Sequence, residues 1–506
     1  MDCPKCGTAN PDDAEICCSC SCDLSGEPAA KPAPRGKRSL MAIGSTVLAG
    51  IAAGLTVLVN PTLGFLAALL GFLSAIRSIG RIRKSKGRLI GKSLAIGAAI
   101  FTSLHIVMLS YWRIDAAPVP VDYTIADVRS AAPEYRGSYE LLLSLGGEDD
   151  ERDDASPIGL SEQDVEELEE ISKIFKEGDF DEISAALAAN AETIETLWEK
   201  AKKGRDVVEE LSGYKEIADL TEPSVYAEMP FLKNIRHLAY LHWAYICLQN
   251  CQGNDEIAIG ELARWNSAIK KLSLNARWLL MKLVCYNSLA LDIRTANFII
   301  NNPRTSEDSL AELSEASIVP TKEHIALRNS LIFEYIVCKN ELRKLFREGK
   351  MKYSTFSPLK WNSTCRLYKN FCDRWIAADE GRDGVEELTV WPSIYPQLPV
   401  TLDDDANAPK YYYIYNPMGC LMLKILVPAI DRVFVMKTKL EIHSDLVQIV
   451  LNRRLGSQVS LKARAYGDEY IIDVEGKKIF SCGPDGEPNT EDDIKLLINP
   501  EVLGLL

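Results

Sequence analysis

Histidine is scarce in this chain, with five residues in 506. Chemistry that relies on imidazole as acid, base or metal ligand has few groups to draw on. The HExxH, GxSxG, phosphate-loop and dinucleotide-glycine patterns are also missing, so no standard catalytic constellation is legible. The first thirty residues are polar and cysteine-rich, which argues against a secretory signal there. Positive charge is in deficit: the formal net charge is −14. An acidic body repels phosphate, so nucleic-acid binding by the main domain is not expected.

Cysteine, by contrast, is concentrated at one end. Cys3-Pro4-Lys5-Cys6-Gly7 forms one CxxC knuckle and Cys17-Cys18-Ser19-Cys20 a second. The spacer between them contains the turn-forming run Asn10-Pro11-Asp12-Asp13. Two such turns bring four thiolates around one tetrahedral Zn²⁺, and four protein ligands leave no open position. The site is therefore expected to be structural. Cys3, Cys6, Cys17 and Cys20 are the expected ligands, with Cys18 and Cys22 as competitors. A disulfide framework or a labile thiol tail is the alternative. The stretch resembles the short zinc ribbons at the N-termini of many bacterial membrane proteins, over residues 3–24.

Residues 25–40 are Pro/Ala-rich and basic and read as a flexible linker. Three apolar tracts follow, 41–60, 62–76 and 93–112, the outer two of spanning length and the middle one shorter. Tyr111 and Trp112 end the last tract, where aromatics suit the headgroup layer. Between the second and third tracts lie Arg77, Arg81, Arg83, Lys84, Lys86, Arg88 and Lys92, with no acid among them. Lys31, Arg35, Lys37 and Arg38 precede the first tract. Such clusters mark cytoplasmic segments, so three spans place the cysteine-rich head and the basic loop inside and the remainder outside. A thiolate site in reducing cytoplasm is chemically consistent. The basic loop also suits anionic lipid. Gly50 and Gly54 read as close packing within the bundle, and His105 as a packed residue. The layout around Gly87-Arg88-Leu89-Ile90-Gly91-Lys92-Ser93-Leu94-Ala95 resembles a widespread small bacterial membrane domain of unknown function, over about residues 40–112.

Beyond the membrane tracts, 113–160 is extended and then acidic. From Ser161 the apolar positions recur at helical spacing, and Ser161 with Asp164 matches a capping pair. The stretch 231–251 is apolar nearly all round and predicts a central helix, with further helices over 256–272, 277–298, 322–348 and 357–380. His237, His242, Cys247 and Cys251 read as core residues rather than ligands. Residues 390–409 form a Pro/Asp-rich crossing loop, and a helix runs from Asn416-Pro417 to Arg454 with a bend at Pro428. Period-two segments follow at 460–466, 470–474 and 477–482.

The tail carries Asp485, Asp492 and Asp493 on a tight acidic turn, and crowded oxygen ligands suit Ca²⁺. It resembles the calcium-binding C-terminal loop of type II secretion major pseudopilins, a resemblance that implies those three aspartates as ligands. A solvated hairpin loop is the alternative. The layout from residue 415 to the end also resembles uncharacterised planctomycete-type envelope proteins.

The expected fold class is multidomain and mainly α. A zinc ribbon (1–24) and linker (25–40) lead to about three transmembrane helices (41–112). An extended acidic linker (113–160) leads to a large α-helical extracytoplasmic domain (161–400). A long helix and a small antiparallel β tail (401–506) close the chain. The functional expectation is a membrane-anchored, non-enzymatic interaction or scaffold protein of the bacterial cell envelope, contacting membrane lipid and a protein partner. Its alternatives are an extracytoplasmic carboxylate-based hydrolase and a secretion-system component.

Overall fold

The computed structural model describes residues 1–3, 5–22, 24, 37–58, 61–86, 88–113, 115–146, 156–347, 360–381, 416, 419, 423, 430–464, 466 and 469–505. The crossing loop at 390–409 and the start of the last long helix, with its bend at Pro428, lie outside these residues. So does most of the linker at 25–40 and of the acidic run at 147–155. The chain divides into two compact units, Met1–Ile114 and Asp115–Leu506. The second unit draws together stretches from 113–160, 161–400 and 401–506.

In the first unit, helices α1 (Leu40–Leu58), α2 (Pro61–Lys84) and α3 (Lys92–Arg113) pack against one another. The segment read as ending at residue 76 continues as helix to Lys84. Arg81, Arg83 and Lys84 therefore sit on the last turn of α2 and are not in a loop. The stretches 63–84 and 92–111 are long and apolar enough to cross a membrane, whereas the apolar part of α1 over 40–55 is shorter.

The bundle is built the opposite way round from a water-soluble one. Its interior holds Ala52, Ala68, Ala75, Ala95, Ser45 and Thr102, all fully buried. Its outside carries Leu66, Leu73, Ile100, Leu104 and Val107, each at least 50% exposed. Small inward residues let helix backbones approach, and large outward apolar ones suit a hydrocarbon solvent. A Cβ built on Gly71 would lie 3.1 Å from Thr102 Cγ2, so this glycine makes the close approach. A Cβ on Gly50 or Gly54 would meet nothing within 4 Å, so those two glycines do not pack inside the bundle as the sequence suggested. His105 is buried and stacks on Phe101 with ring centroids 6.2 Å apart.

Two short parallel strands, β1 (Lys37–Arg38) and β2 (Leu89–Ile90), join the segment before α1 to the turn before α3. Lys37 donates its N–H to Arg88 O at 3.1 Å, and Ser39 donates to Ile90 O at 3.0 Å. Lys37 and Arg38 thereby share one end of the bundle with Arg88.

The second unit is a helical body closed by a small sheet. Helices α4 (Arg136–Ser144), α5 (Glu162–Glu177), α6 (Phe180–Ala189), α7 (Ala191–Lys200) and α8 (Lys202–Gly213) lead to α9 (Phe231–Cys251), α10 (Asp255–Asn275) and α11 (Leu279–Asn301). The capping pair is present: Ser161 N–H and Oγ each lie 2.8 Å from Asp164 Oδ2. As its all-round apolar pattern predicted, α9 is central; α4, α5, α6, α7, α10 and α11 all pack on it.

After α12 (Glu307–Glu315), the predicted helix over 322–348 splits into α13 (Lys322–Ile325) and α14 (Arg328–Arg347). At the break stands Asp379, on α15 (Trp361–Glu380). Its Oδ2 accepts the N–H groups of Leu327 (2.7 Å) and Arg328 (3.2 Å), capping α14 from a distance in sequence. Its Oδ1 pairs with the buried Lys437 of α16 (Ile430–Arg454). Finally α16 packs on α11, and the antiparallel sheet β3 (Ile471–Asp473), β4 (Lys478–Ser481), β5 (Ile494–Leu497) leans on α16. The segment 460–466 contributes an isolated bridge, Lys462 to Glu469.

The first residues of this unit are fastened far downstream. Asp115 accepts the N–H groups of Asn362 (2.7 Å) and Ser363 (3.0 Å) and the Ser363 hydroxyl (2.8 Å), capping α15. Replacing it by alanine orphans those donors. Asp115→Ala is expected to cost about 1–2 kcal/mol, read as a lower urea midpoint.

Candidate metal centre

Each knuckle closes on itself in the same way. The N–H of Gly7 reaches Cys3 O at 2.9 Å, and the N–H of Ser21 reaches Cys17 O at 2.9 Å. The N–H of Cys3 reaches Thr8 O at 2.9 Å, and that of Cys17 reaches Cys22 O at 2.8 Å. Both turns therefore aim their two sulfurs to one side and form a pseudo-twofold pair. The residue after each second cysteine is left-handed, Gly7 at φ 75° and Ser21 at φ 53°. Glycine takes that conformation freely, and serine at a cost of roughly 1 kcal/mol. Ser21→Gly is accordingly expected to stabilise the head by up to about 1 kcal/mol, measured as slower metal loss to a competing chelator.

The four sulfurs converge. Cys3 Sγ lies 3.6 Å from Cys20 Sγ, and Cys6 Sγ lies 3.6 Å from Cys17 Sγ. All four are within 4.8 Å of one another. A tetrahedral site with metal–sulfur bonds near 2.3 Å needs sulfurs about 3.8 Å apart, so the set fits. Cys18 and Cys22 stand outside the set. Among the described residues this is the one group of three or more Cys, His, Asp or Glu donors gathered to hold a metal ion.

Asn10, buried beside the cluster, orders it. Its Nδ2 donates to Thr8 O at 2.7 Å and toward Cys17 Sγ at 3.6 Å, while its Oδ1 accepts Cys18 N–H at 3.0 Å. Sequence reasoning placed Asn10 in a turn and missed this supporting role, which links residues 8, 17 and 18.

Without a cation, four clustered thiols cannot all ionise. The Ser19 N–H, followed by that of Cys20, brings the Cys17 thiol down to about 6. The Thr8 hydroxyl lowers Cys6. Cys20, facing the Cys6 thiol first and then those of Cys3 and Cys17, is pushed up to about 12. A dication removes that mutual repulsion, so metal uptake releases protons.

The other candidate residues do different work. His242 is buried between two indoles, edge-on to Trp198 at 4.8 Å and stacked on Trp265 at 4.5 Å. Neither of its ring nitrogens has a hydrogen-bond partner. His237 is buried too, and Cys247 and Cys251 belong to or border the core, as their sequence pattern suggested. None of the described cysteines forms a disulfide.

In the tail, the aspartates tie down the turn. Asp485 Oδ1 accepts Glu487 N–H (2.9 Å), Asp492 Oδ1 accepts the Thr490 hydroxyl (2.6 Å), and Asp493 Oδ2 accepts Asn489 N–H (2.9 Å). The Thr490 hydroxyl lowers the Asp492 carboxyl below the usual range. Gly483, at φ 68°, is packed so closely that a Cβ would lie 2.6 Å from Asp492 O.

A cleft of ≈ 560 Å³ borders α11, α13 and α16 and contains the carboxylates of Glu441 and Asp445. Asp445 is held by Arg464 through two bonds, at 3.0 and 2.7 Å, and accepts the Tyr470 hydroxyl at 2.8 Å. Burial raises Glu441 above the usual carboxylate range.

Comparisons with protein-family models, with curated proteins and with solved structures found no match for this chain.

Proposed function

We propose that this chain is a membrane-anchored, non-enzymatic interaction or scaffold protein of a bacterial cell envelope. In this reading Cys3, Cys6, Cys17 and Cys20 hold a structural Zn²⁺ in the cytoplasm. Zinc is favoured by four thiolates in tetrahedral array in a reducing compartment. The helices α1, α2 and α3 all span the bilayer, with the basic end inside. Three spans then put the acidic helical unit outside, where it meets an envelope partner.

The observation that carries this reading is the inverted bundle: alanines and hydroxyls inside, leucines and isoleucines outside. Water would penalise that surface at about 25 cal/mol per Å² of exposed apolar area, and hydrocarbon would not. Alkaline carbonate extraction of membranes containing the full chain tests it. The chain is expected to stay in the membrane pellet, and release into the supernatant would overturn the anchor.

The hydrolase alternative needs two carboxylates free for separate acid and base roles. In the cleft, Asp445 is committed to Arg464 and Tyr470, and Glu441 also faces Arg464 at 3.9 Å, so neither carboxylate of the pair stands free, which favours the binding reading.

A further inference from the structure

The apolar bundle has a charged rim at one end. The β1–β2 pairing fixes Lys37 and Arg38 beside the turn that carries Arg88, with Arg83 and Lys84 on the last turn of α2 and Lys92 opening α3. All six are exposed. No Asp or Glu occurs between Pro28 and Ile114, so no acid within this stretch neutralises them. The pairing depends on Gly91, whose φ of 114° suits glycine and at which a Cβ would sit 3.4 Å from that of Ala42. Directly along the same helices lie outward apolar side chains, Leu40 and Ile43 on α1, Ile76 on α2 and Leu94 on α3.

We propose that this rim is a binding surface for the headgroups of anionic phospholipids, with the phosphates on the six cations and the acyl chains on the apolar side chains beside them. The inference rests on the membrane reading above and adds a lipid preference to it. Two features of the surface select the ligand. Each Lys or Arg near an anionic leaflet is attracted to it, an attraction that a zwitterionic headgroup does not return. A nucleic acid supplies phosphate but nothing to cover the adjoining leucines and isoleucines, whereas a phospholipid supplies both.

The test uses the full chain in neutral detergent. Dioctanoylphosphatidylglycerol, dioctanoylphosphatidylcholine and inorganic phosphate are the probes, and bound lipid is counted by native mass spectrometry. The glycerol lipid is expected to bind at least about tenfold more tightly than the choline lipid. Inorganic phosphate is not expected to displace it. The triple variant Arg83→Gln/Lys84→Gln/Arg88→Gln is expected to lose that preference, and Arg83→Lys/Arg88→Lys to keep it. Both variants should keep the helical circular dichroism and the detergent-complex elution volume of the parent chain, which reports that the bundle folds. Equal binding of the two lipids, an unchanged triple variant, or displacement of the glycerol lipid by phosphate or by a DNA duplex would overturn the proposal. Carbonate extraction separates the two readings: a chain that resists extraction but shows no lipid preference defeats this inference alone.

Discussion

Replacing one buried sulfur, Cys17→Ser, is expected to abolish metal binding and unfold residues 1–24. Among the described residues of this head, Cys3 and Cys17 are the buried apolar ones. Zinc bound there as proposed would supply most of its folding free energy, roughly 10–16 kcal/mol for structural zinc in small fingers. A serine cannot replace a thiolate, and three remaining thiolates hold zinc far more weakly. Zinc content per chain should fall from one to near zero, and protease should then cut the head rapidly. Cys18→Ser and Cys22→Ser lie outside the converging set and should keep one zinc each. Retention of zinc by Cys17→Ser, or its loss from Cys18→Ser, would contradict the ligand assignment.

Acidification should destabilise the second unit. Burial lowers His242 to about 3, with the cations of Arg205 and Arg264 adding to the cost of a charged imidazole. Burial likewise lowers His237, His324 and His443, each to about 4. An unfolded histidine titrates near 6.5. Below that pH the unfolded chain takes up protons that the folded one refuses, so stability is full above about pH 6.5 and falls as pH drops.

Buried carboxyls act the other way, and burial raises Glu261 and Glu441 as well as Asp292 and Glu334. Burial raises Asp292 and Glu334 to about 7, so their stabilising contribution is present at low pH and lost as pH rises toward that value. Between about pH 6.5 and 4.5 four imidazoles lowered to about 3 or 4 oppose these carboxyls, of which Asp292 and Glu334 are the ones raised as far as about 7, and the imidazoles outweigh them. For the fully enclosed His242 alone, two pH units correspond to about 2.7 kcal/mol. His242→Phe fills the same gap between Trp198 and Trp265 without orphaned nitrogens. It should flatten the dependence of unfolding free energy on pH by about 1.4 kcal/mol per unit, measured by urea titration with tryptophan fluorescence. An unchanged slope would mean that His242 already carries a partner for its proton.

What could be read from the sequence was local. Cys3, Cys6, Cys17 and Cys20 were legible because ligand geometry is written in the CxxC spacing, and α9 because its apolar pattern leaves no polar face. The helix α12 was missed although Ser306 caps it, accepting Ser309 N–H at 3.1 Å, because its nine residues offer only two buried positions, Leu310 and Leu313. The strand β5 was hidden in a tail dominated by its acidic turn. Contacts distant in sequence left no signal at all. Nothing near residue 379 announces that Asp379 will start α14, and nothing in 279–301 announces α16 as its neighbour. The helix bundle misled in one respect. A GxxxG motif marks where backbones can approach, but Gly71 does so here, facing Thr102, while Gly50 and Gly54 face outward.

The account turns on lipid separating the metal-bound head from the acidic helical unit. Protease added to intact spheroplasts tests it most directly, with antibodies against each end as readout. The account predicts that the helical unit is degraded while the head survives, and that inverted vesicles give the reverse. A helical unit spared in spheroplasts and cut only in inverted vesicles would contradict it.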